Sequence, residues 1–304
     1  MSESALSFTG VLFFPVTPFD SDDRVATDVL ERHVATGVEN AAGAVFAACG
    51  TGEFHALSVS EYSTVVSHAV RATAGRVPVV GGAGGSIGNA RAYAAAAESA
   101  GADALLVLPP YLVGAPQAGL VAYVEALAAS TRLPLIVYHR GNAQFTADSI
   151  ARLLDNPSVI GVKDGTGDIA AAQQFVLAAR RSGRDDVLFF NGLLTAELSQ
   201  AAYRAIGVPL YSSAAFAMAP EIANAFYRAY RDGDEVARVR LLDGFYEPLV
   251  KLRDEVPGFA VSLIKAGLRL GGLDVGPVRP PLVDPDPAQL DRLARILEHG
   301  RSLV

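Results

Sequence analysis

Short apolar runs alternate with alanine-rich, helix-like stretches along roughly the first 230 residues. The runs are GVLFFPV (10–16), GAVFAA (43–48), VPVVGGA (77–83), ADALLVLPP (102–110), LPLIVYH (133–139), VIGVKD (159–164), VLFFNG (187–192) and VPLYSS (208–213). Each is apolar almost throughout, with little alternation between apolar and polar positions, which is the pattern of strands covered on both faces in a parallel sheet. Helix starts are legible between them: Ser58 and Glu61 have capping-box spacing, and Thr146 and Asp168 are good N-cap types before ADSIARLL and IAAAQQFVLAAR. Eight strand–helix units with no compositional break predict an α/β chain closed as a (β/α)8 barrel, a TIM barrel, over residues 1–231. A doubly wound open sheet is the alternative closure.

After about residue 231 the strand pattern stops. DEVARVRLLDGFYEPLVKLRDE, GFAVSLIKAGLRLG and PAQLDRLARILEHG read as helices, which predicts a C-terminal helical extension, 232–304, packed on the barrel. Nothing in its sequence marks it for chemistry, and capping or oligomer contact is its expected role.

Composition narrows the class. The chain has 304 residues, 51% hydrophobic and 19% charged, a globular balance without like-charge runs. A net charge of -7 and a pI near 5.3 supply no basic field for nucleic acid. One cysteine, Cys49, excludes an internal disulfide and a multi-cysteine metal site. The opening MSESALSFTG has no basic segment followed by an apolar one, and no apolar run approaches the roughly 18 residues of a membrane span. A cytoplasmic protein that binds neither membrane nor nucleic acid is the expectation.

Only three lysines occur, Lys163, Lys251 and Lys265, and one of them ends the sixth apolar run in SVIGVKDGTGD. In a parallel barrel the carboxyl ends of the strands form the catalytic face. A lysine held there in a partly dry cavity can lose its proton and attack a ketone, which an arginine cannot. The alternative is a lysine that merely extends from the strand end into water. Tyr138 ends the neighbouring fifth run and is placed to shuttle protons for such an amine, although a lone tyrosine is more often a core residue. The turn CGTGEFHALS (49–58) offers backbone N–H groups at Gly50 and Thr51 and the Thr51 hydroxyl to a carboxylate, or is a tight strand-to-helix turn and no more. GGAGGSIGNA (81–90) is not a dinucleotide fingerprint, since Ile87 stands where the third glycine is needed. His33, His55, His68, His139 and His299 show no metal-ligand spacing with carboxylates. Cys49 reads as a small strand-end residue.

With Lys163, Tyr138 and the Gly50-Thr51-Gly52-Glu53 turn in view, the chain resembles the dihydrodipicolinate synthase/N-acetylneuraminate lyase superfamily. PVTPFD (15–20), GTGEFHALS, LPPY (108–111), IVYH and GVKDGTGD carry the likeness, in order and over nearly the whole length. The resemblance implies a (β/α)8 barrel, imine chemistry on a 2-oxo acid, no metal or organic cofactor beyond the covalent imine, and a homo-oligomer, tetramer or dimer. It makes Lys163 the imine-forming lysine and Tyr138 the proton-relaying tyrosine, with Gly50 and Thr51 at the carboxylate next to the ketone.

Two departures narrow the branch. The usual G-T-T-G-E becomes Cys49-Gly50-Thr51-Gly52-Glu53, without the hydroxyl that links the family's tyrosines. The usual tyrosine pair becomes Tyr111-Leu112, and Ala143 stands where an arginine of the synthase's second-substrate site is expected. FFPVTPFD, GTGEF, PPYL and YSS instead resemble a decarboxylating dehydratase branch, whose members turn a six-carbon keto-deoxy sugar diacid into 2,5-dioxopentanoate, water and carbon dioxide. Ser212 and Ser213 are then candidates for the leaving hydroxyl or the distal carboxylate, Asn191 for a substrate hydroxyl, and Arg140 for the second carboxylate, with a purely structural role the alternative for each. The rivals are a 2-keto-3-deoxy sugar-acid aldolase, using the same imine to release pyruvate, and a non-catalytic barrel that binds sugar acids.

Overall fold

The computed structural model describes Leu6 and residues 8–304, so most of the opening stretch read above for a targeting signal lies outside the described residues. Eight parallel strands close on themselves in sequence order: β1 Val11–Phe13, β2 Ala42–Ala47, β3 Val79–Ala83, β4 Ala104–Val107, β5 Leu135–His139, β6 Val159–Asp164, β7 Leu188–Asn191 and β8 Leu210–Ser213, with β8 pairing back to β1. Each apolar run named above coincides with one of them, β2 starting one residue earlier than its run. The barrel is therefore closed, and the open-sheet alternative falls.

Eight helices alternate with the strands: α1 Thr27–Glu39, α2 Val59–Thr73, α3 Ile87–Ala100, α4 Gln117–Ala128, α5 Ala147–Leu154, α6 Ile169–Arg181, α7 Gln200–Ala205 and α8 Pro220–Asp232. The predicted starts are present. Glu61 N–H donates to Ser58 Oγ while Ser58 N–H donates to Glu61 Oε2, Ser149 N–H donates to Thr146 Oγ1, and Ala171 N–H donates to Asp168 Oδ1.

Why these strands read as continuous apolar runs is visible in the two cores. Alternate residues face inward, where Leu12, Phe14, Phe46, Leu106, Ile136, Tyr138 and Phe190 fill the barrel. Their neighbours Val11, Phe13, Val45, Leu105, Val107, Leu135 and Val137 face the helices. Both faces are dry, so hydrophobicity carries no period of two. Glycine settles crowding at one interior position: a Cβ on Gly161 would lie 2.8 Å from the Phe190 ring and 3.0 Å from the Leu188 carbonyl oxygen.

Beyond α8 lie α9 Glu235–Leu241, a π-helical turn Leu242–Tyr246, α10 Glu247–Arg253, α11 Phe259–Leu270 and α12 Pro287–Ser302. None of the described helices is long and apolar enough to cross a membrane. The extension reaches the catalytic face of the barrel. Glu53, in the turn after β2, is fully buried and lies 2.6 Å through Oε1 from the equally buried Lys265 Nζ of α11. Arg279 N–H donates to Glu53 Oε2, and Lys265 Nζ donates to the Pro277 carbonyl. Two charges removed from water tolerate each other only as a pair, so this contact ties the Gly50–Glu53 turn to the C-terminal helices. Burial pulls the Lys265 ammonium below its usual range against the opposing pull of Glu53.

Candidate active site

A cavity of about 760 Å³ opens at the carboxyl ends of the strands. Its floor is Phe14 and Leu106; Gly50, Thr51, Phe54 and His55 come from the turn after β2, Arg140 and Gly141 from the turn after β5, and Gly192 to Leu194 from the turn after β7. A volume of this size suits a small ligand.

Lys163 and Tyr138 meet in this cavity. They are register partners across β5 and β6, and both are buried. The Lys163 Nζ lies 4.3 Å from the Tyr138 ring centre and 4.5 Å from that of Phe14, so the amine is packed between two aromatic faces. Phe14 is itself stacked on Phe46 at 4.5 Å and 15°. A lysine extended into water is thereby ruled out at position 163.

The Tyr138 hydroxyl donates to the Gly192 carbonyl at 2.8 Å and accepts from Arg140 Nη1 at 2.8 Å. Burial pushes this phenol up, but the Lys163 and Arg140 charges and the Arg140 hydrogen bond outweigh it, and the group sits below its ordinary value. Arg140 is fixed by the turn Arg140-Gly141-Asn142-Ala143, in which Arg140 and Ala143 exchange both backbone hydrogen bonds and Gly141 takes φ of 55°. The guanidinium lines the cavity with one donor committed to the tyrosine and the others without an acceptor among the described residues.

The turn after β6 is equally fixed. Asp164 accepts from Thr166 N–H, Thr166 Oγ1 and Gly167 N–H, and from the Tyr203 hydroxyl. In DGTG the aspartate therefore shapes the turn. Two glycines leave room for the reactive pair: a Cβ on Gly165 would lie 2.7 Å from Tyr138 Cε2, and one on Gly192 would lie 2.7 Å from Lys163 Cε and Cγ.

Gly50 and Thr51 line the cavity, and among the described residues neither backbone N–H donates to another protein group. A Cβ on Gly50 would meet nothing within 4 Å, so packing does not require this glycine. Free N–H groups lining the cavity that holds the amine are donors suited to an anionic group.

The remaining expectations divide. Ser212 lines the cavity and its hydroxyl contacts the Asn191 carbonyl at 3.4 Å. Ser213, one residue on, points the other way into the fold and accepts from Phe216 N–H. Asn191 is wholly buried and does not reach the cavity: its amide donates to the Ala196 carbonyl, Ser199 Oγ and Gln200 Oε1, and its oxygen accepts from Leu193 N–H. The structure thus removes Ser213 and Asn191 from direct contact with a ligand and leaves Ser212. Tyr111 and Leu112 are 73% and 78% exposed and stand outside the cavity. Cys49 is buried, and burial pushes its thiol up to about 12 against the pull of Lys163, which makes it an inert packing residue. His33 and His139 accept from the Val16 and Phe145 N–H groups and are held below the ordinary histidine range by burial.

Sequence reasoning missed the outer wall. Arg253, Asp254, Val256 and Gly258 to Val261, from the end of α10 to the start of α11, line the cavity together with Leu282. The C-terminal extension, expected to carry no part of the site, forms one side of it. Phe14 and Gly192 were also missed, although a glycine directly after a strand end offers a signal.

A closed parallel barrel with a lysine, a tyrosine and an arginine converging on one cavity at its carboxyl face defines a (β/α)8-barrel lyase. The chain belongs to the dihydrodipicolinate synthetase family, whose sequence profile matches residues 7–300. It is 53% identical over 297 residues to a protein of Streptomyces coelicolor named probable 5-dehydro-4-deoxyglucarate dehydratase 1, covering 97% of this chain and 94% of the relative. It is 54% identical over 297 residues to the probable 5-dehydro-4-deoxyglucarate dehydratase of Streptomyces griseus subsp. griseus, covering 97% and 92%. Among solved structures, dihydrodipicolinate synthase from Oceanobacillus iheyensis superposes with a TM-score of 0.89 at 24% identity over 97% of both chains, a likeness of fold.

Proposed function

We propose that this chain catalyses the decarboxylating dehydration of 5-dehydro-4-deoxyglucarate to 2,5-dioxopentanoate, water and carbon dioxide, with Lys163 as the imine-forming amine. The buried, register-paired Lys163 and Tyr138 carry the reading, because a ketone entering the cavity meets an amine beside a phenol poised for proton transfer. The names of the Streptomyces relatives supply the substrate.

The Lys163 amine adds to the C5 ketone, and Tyr138 passes the protons that turn the adduct into an imine and water. The free Gly50 and Thr51 N–H groups and the Thr51 hydroxyl hold the C6 carboxylate. The protonated imine acidifies C4–H, and loss of that proton drives out the C3 hydroxyl as water, which leaves C3=C4 conjugated to the imine. Ser212 is the residue of the predicted serine pair that faces this chemistry. When the C1–C2 bond breaks, its electrons run through C2, C3 and C4 to the nitrogen and carbon dioxide leaves. The C2 enol becomes an aldehyde, C3 and C4 gain protons, and water releases the product from Lys163. The imine nitrogen is the electron sink for both cleavages, so the scheme calls on no metal or organic cofactor.

A cytoplasmic location and a homo-oligomeric assembly, tetramer or dimer, complete the reading and rest on the family resemblance. The test is product analysis: the enzyme with 5-dehydro-4-deoxyglucarate yields 2,5-dioxopentanoate and carbon dioxide, and Lys163→Ala yields neither while keeping its circular dichroism. Pyruvate as product would give the chain to the aldolases instead.

A further inference from the structure

We infer that Arg253, at the end of α10, is the residue that recognises the distal C1 carboxylate and so selects diacids over monoacids. The inference rests on the proposed reaction and adds the source of its substrate specificity.

Three cationic side chains line the cavity. Lys163 lies between Phe14 and Tyr138 at its base, and Arg140, which also keeps donors without an acceptor among the described residues, gives Nη1 to the Tyr138 hydroxyl, so both stand beside the position of the reacting ketone. Arg253 stands on a different element, the wall made by the C-terminal helices. Its side chain is only 14% exposed, and the protein holds it from behind: Nε donates to Asp254 Oδ1 at 2.8 Å, and Nη1 donates to Thr195 Oγ1 at 2.8 Å. A guanidinium has five N–H donors, and these contacts use two. Among the described residues Nη2 has no acceptor, although it belongs to a side chain that lines the cavity. A fixed fork with idle donors in a mostly apolar cavity is suited to a carboxylate.

Asp254 also lines the cavity, but its side chain is 61% exposed and bound to Arg253 Nε. It orients the guanidinium and leaves Nη2 to the ligand. Thr195 does the same at Nη1 from a left-handed backbone position, φ 52°, just beyond β7. An extended six-carbon diacid with its ketone on Lys163 has its other carboxylate at the far end of the chain. The wall made by the end of α10 and the start of α11, an element separate from the strand ends that carry Lys163, Tyr138 and Arg140, is where that carboxylate finds a donor.

The experiment compares Arg253→Met and Arg253→Lys with the unmodified enzyme on two ligands. One is 5-dehydro-4-deoxyglucarate, followed by kcat and KM. The other is pyruvate, which has the ketone and adjacent carboxylate but no distal one, followed by the half-saturation of borohydride trapping on Lys163. Arg253→Met should raise KM for the diacid roughly 10- to 100-fold, the loss of a charge-assisted hydrogen bond, with Arg253→Lys recovering part of it. Pyruvate trapping should stay within about twofold of the unmodified enzyme. An unchanged KM for the diacid overturns the inference. So does an equal loss of pyruvate trapping in both variants, which would make Arg253 a support of the fold. Should the unmodified enzyme trap pyruvate but not turn over the diacid, the proposed reaction itself fails, an outcome separate from the behaviour of the variants.

Discussion

Gly192 and Lys163 are packed so closely that the glycine has no room for a side chain: an added Cβ would stand 2.7 Å from both Cε and Cγ of the lysine and 2.8 Å from the Asp164 carbonyl oxygen. The lysine could swing away, but the backbone oxygen cannot without moving the end of β6. The Gly192 carbonyl also accepts the Tyr138 hydroxyl, so the same residue positions both reactive groups. Gly192→Ala should therefore lower kcat/KM by about 100-fold, the scale of a 1 Å misplacement. The loss of stability should be about 1–3 kcal/mol, read from the urea midpoint. Near-normal kcat/KM would show that the lysine is free to repack.

Arg140 acts on the reaction through Tyr138. Its charge and hydrogen bond help to outweigh burial and bring the phenol below its ordinary value near 10. A neutral phenol donates its proton, so activity falls as pH rises through that value, and the alkaline limb lies lower than for an ordinary tyrosine. Removing the guanidinium lets burial push the phenol up. Arg140→Met should move the alkaline limb of kcat/KM to higher pH, and Tyr138→Phe should remove the limb and lower kcat by about 100- to 10,000-fold. A limb that stays in place in Arg140→Met would assign it to another group.

The Glu53–Lys265 pair holds the Gly50–Glu53 turn to the C-terminal helices. Lys265→Met leaves Glu53 buried without a cation, which should cost about 3–5 kcal/mol in chemical denaturation. The Glu53→Gln, Lys265→Met double variant should recover part of that, because no lone charge remains. Losses that simply add across Glu53→Gln, Lys265→Met and the double variant would show that the two side chains are energetically independent.

The barrel was legible in the sequence because strands dry on both faces announce themselves as uninterrupted apolar runs. That same property hid the orientation of side chains at the strand ends. Nothing in YSS distinguishes Ser212, which faces the cavity, from Ser213, which turns into the fold, and nothing in FFNG shows that Asn191 spends its amide on Ala196, Ser199 and Gln200. Lys163 and Tyr138 were readable because each ends an apolar run on adjacent strands. Arg253 and Lys265 were not, since an arginine or lysine in an amphipathic helix looks like any solvated residue until the helix is docked. Only packing of the C-terminal helices against the barrel brings Arg253 to the cavity and Lys265 to Glu53.

The most direct measurement is borohydride trapping of the enzyme with 5-dehydro-4-deoxyglucarate, followed by intact mass and peptide mapping. A reduced adduct on Lys163 is expected, with a mass that corresponds to the substrate after loss of water and carbon dioxide. A three-carbon adduct on Lys163 would contradict the decarboxylating dehydration. With a working trapping control, no adduct on Lys163 would contradict the imine itself.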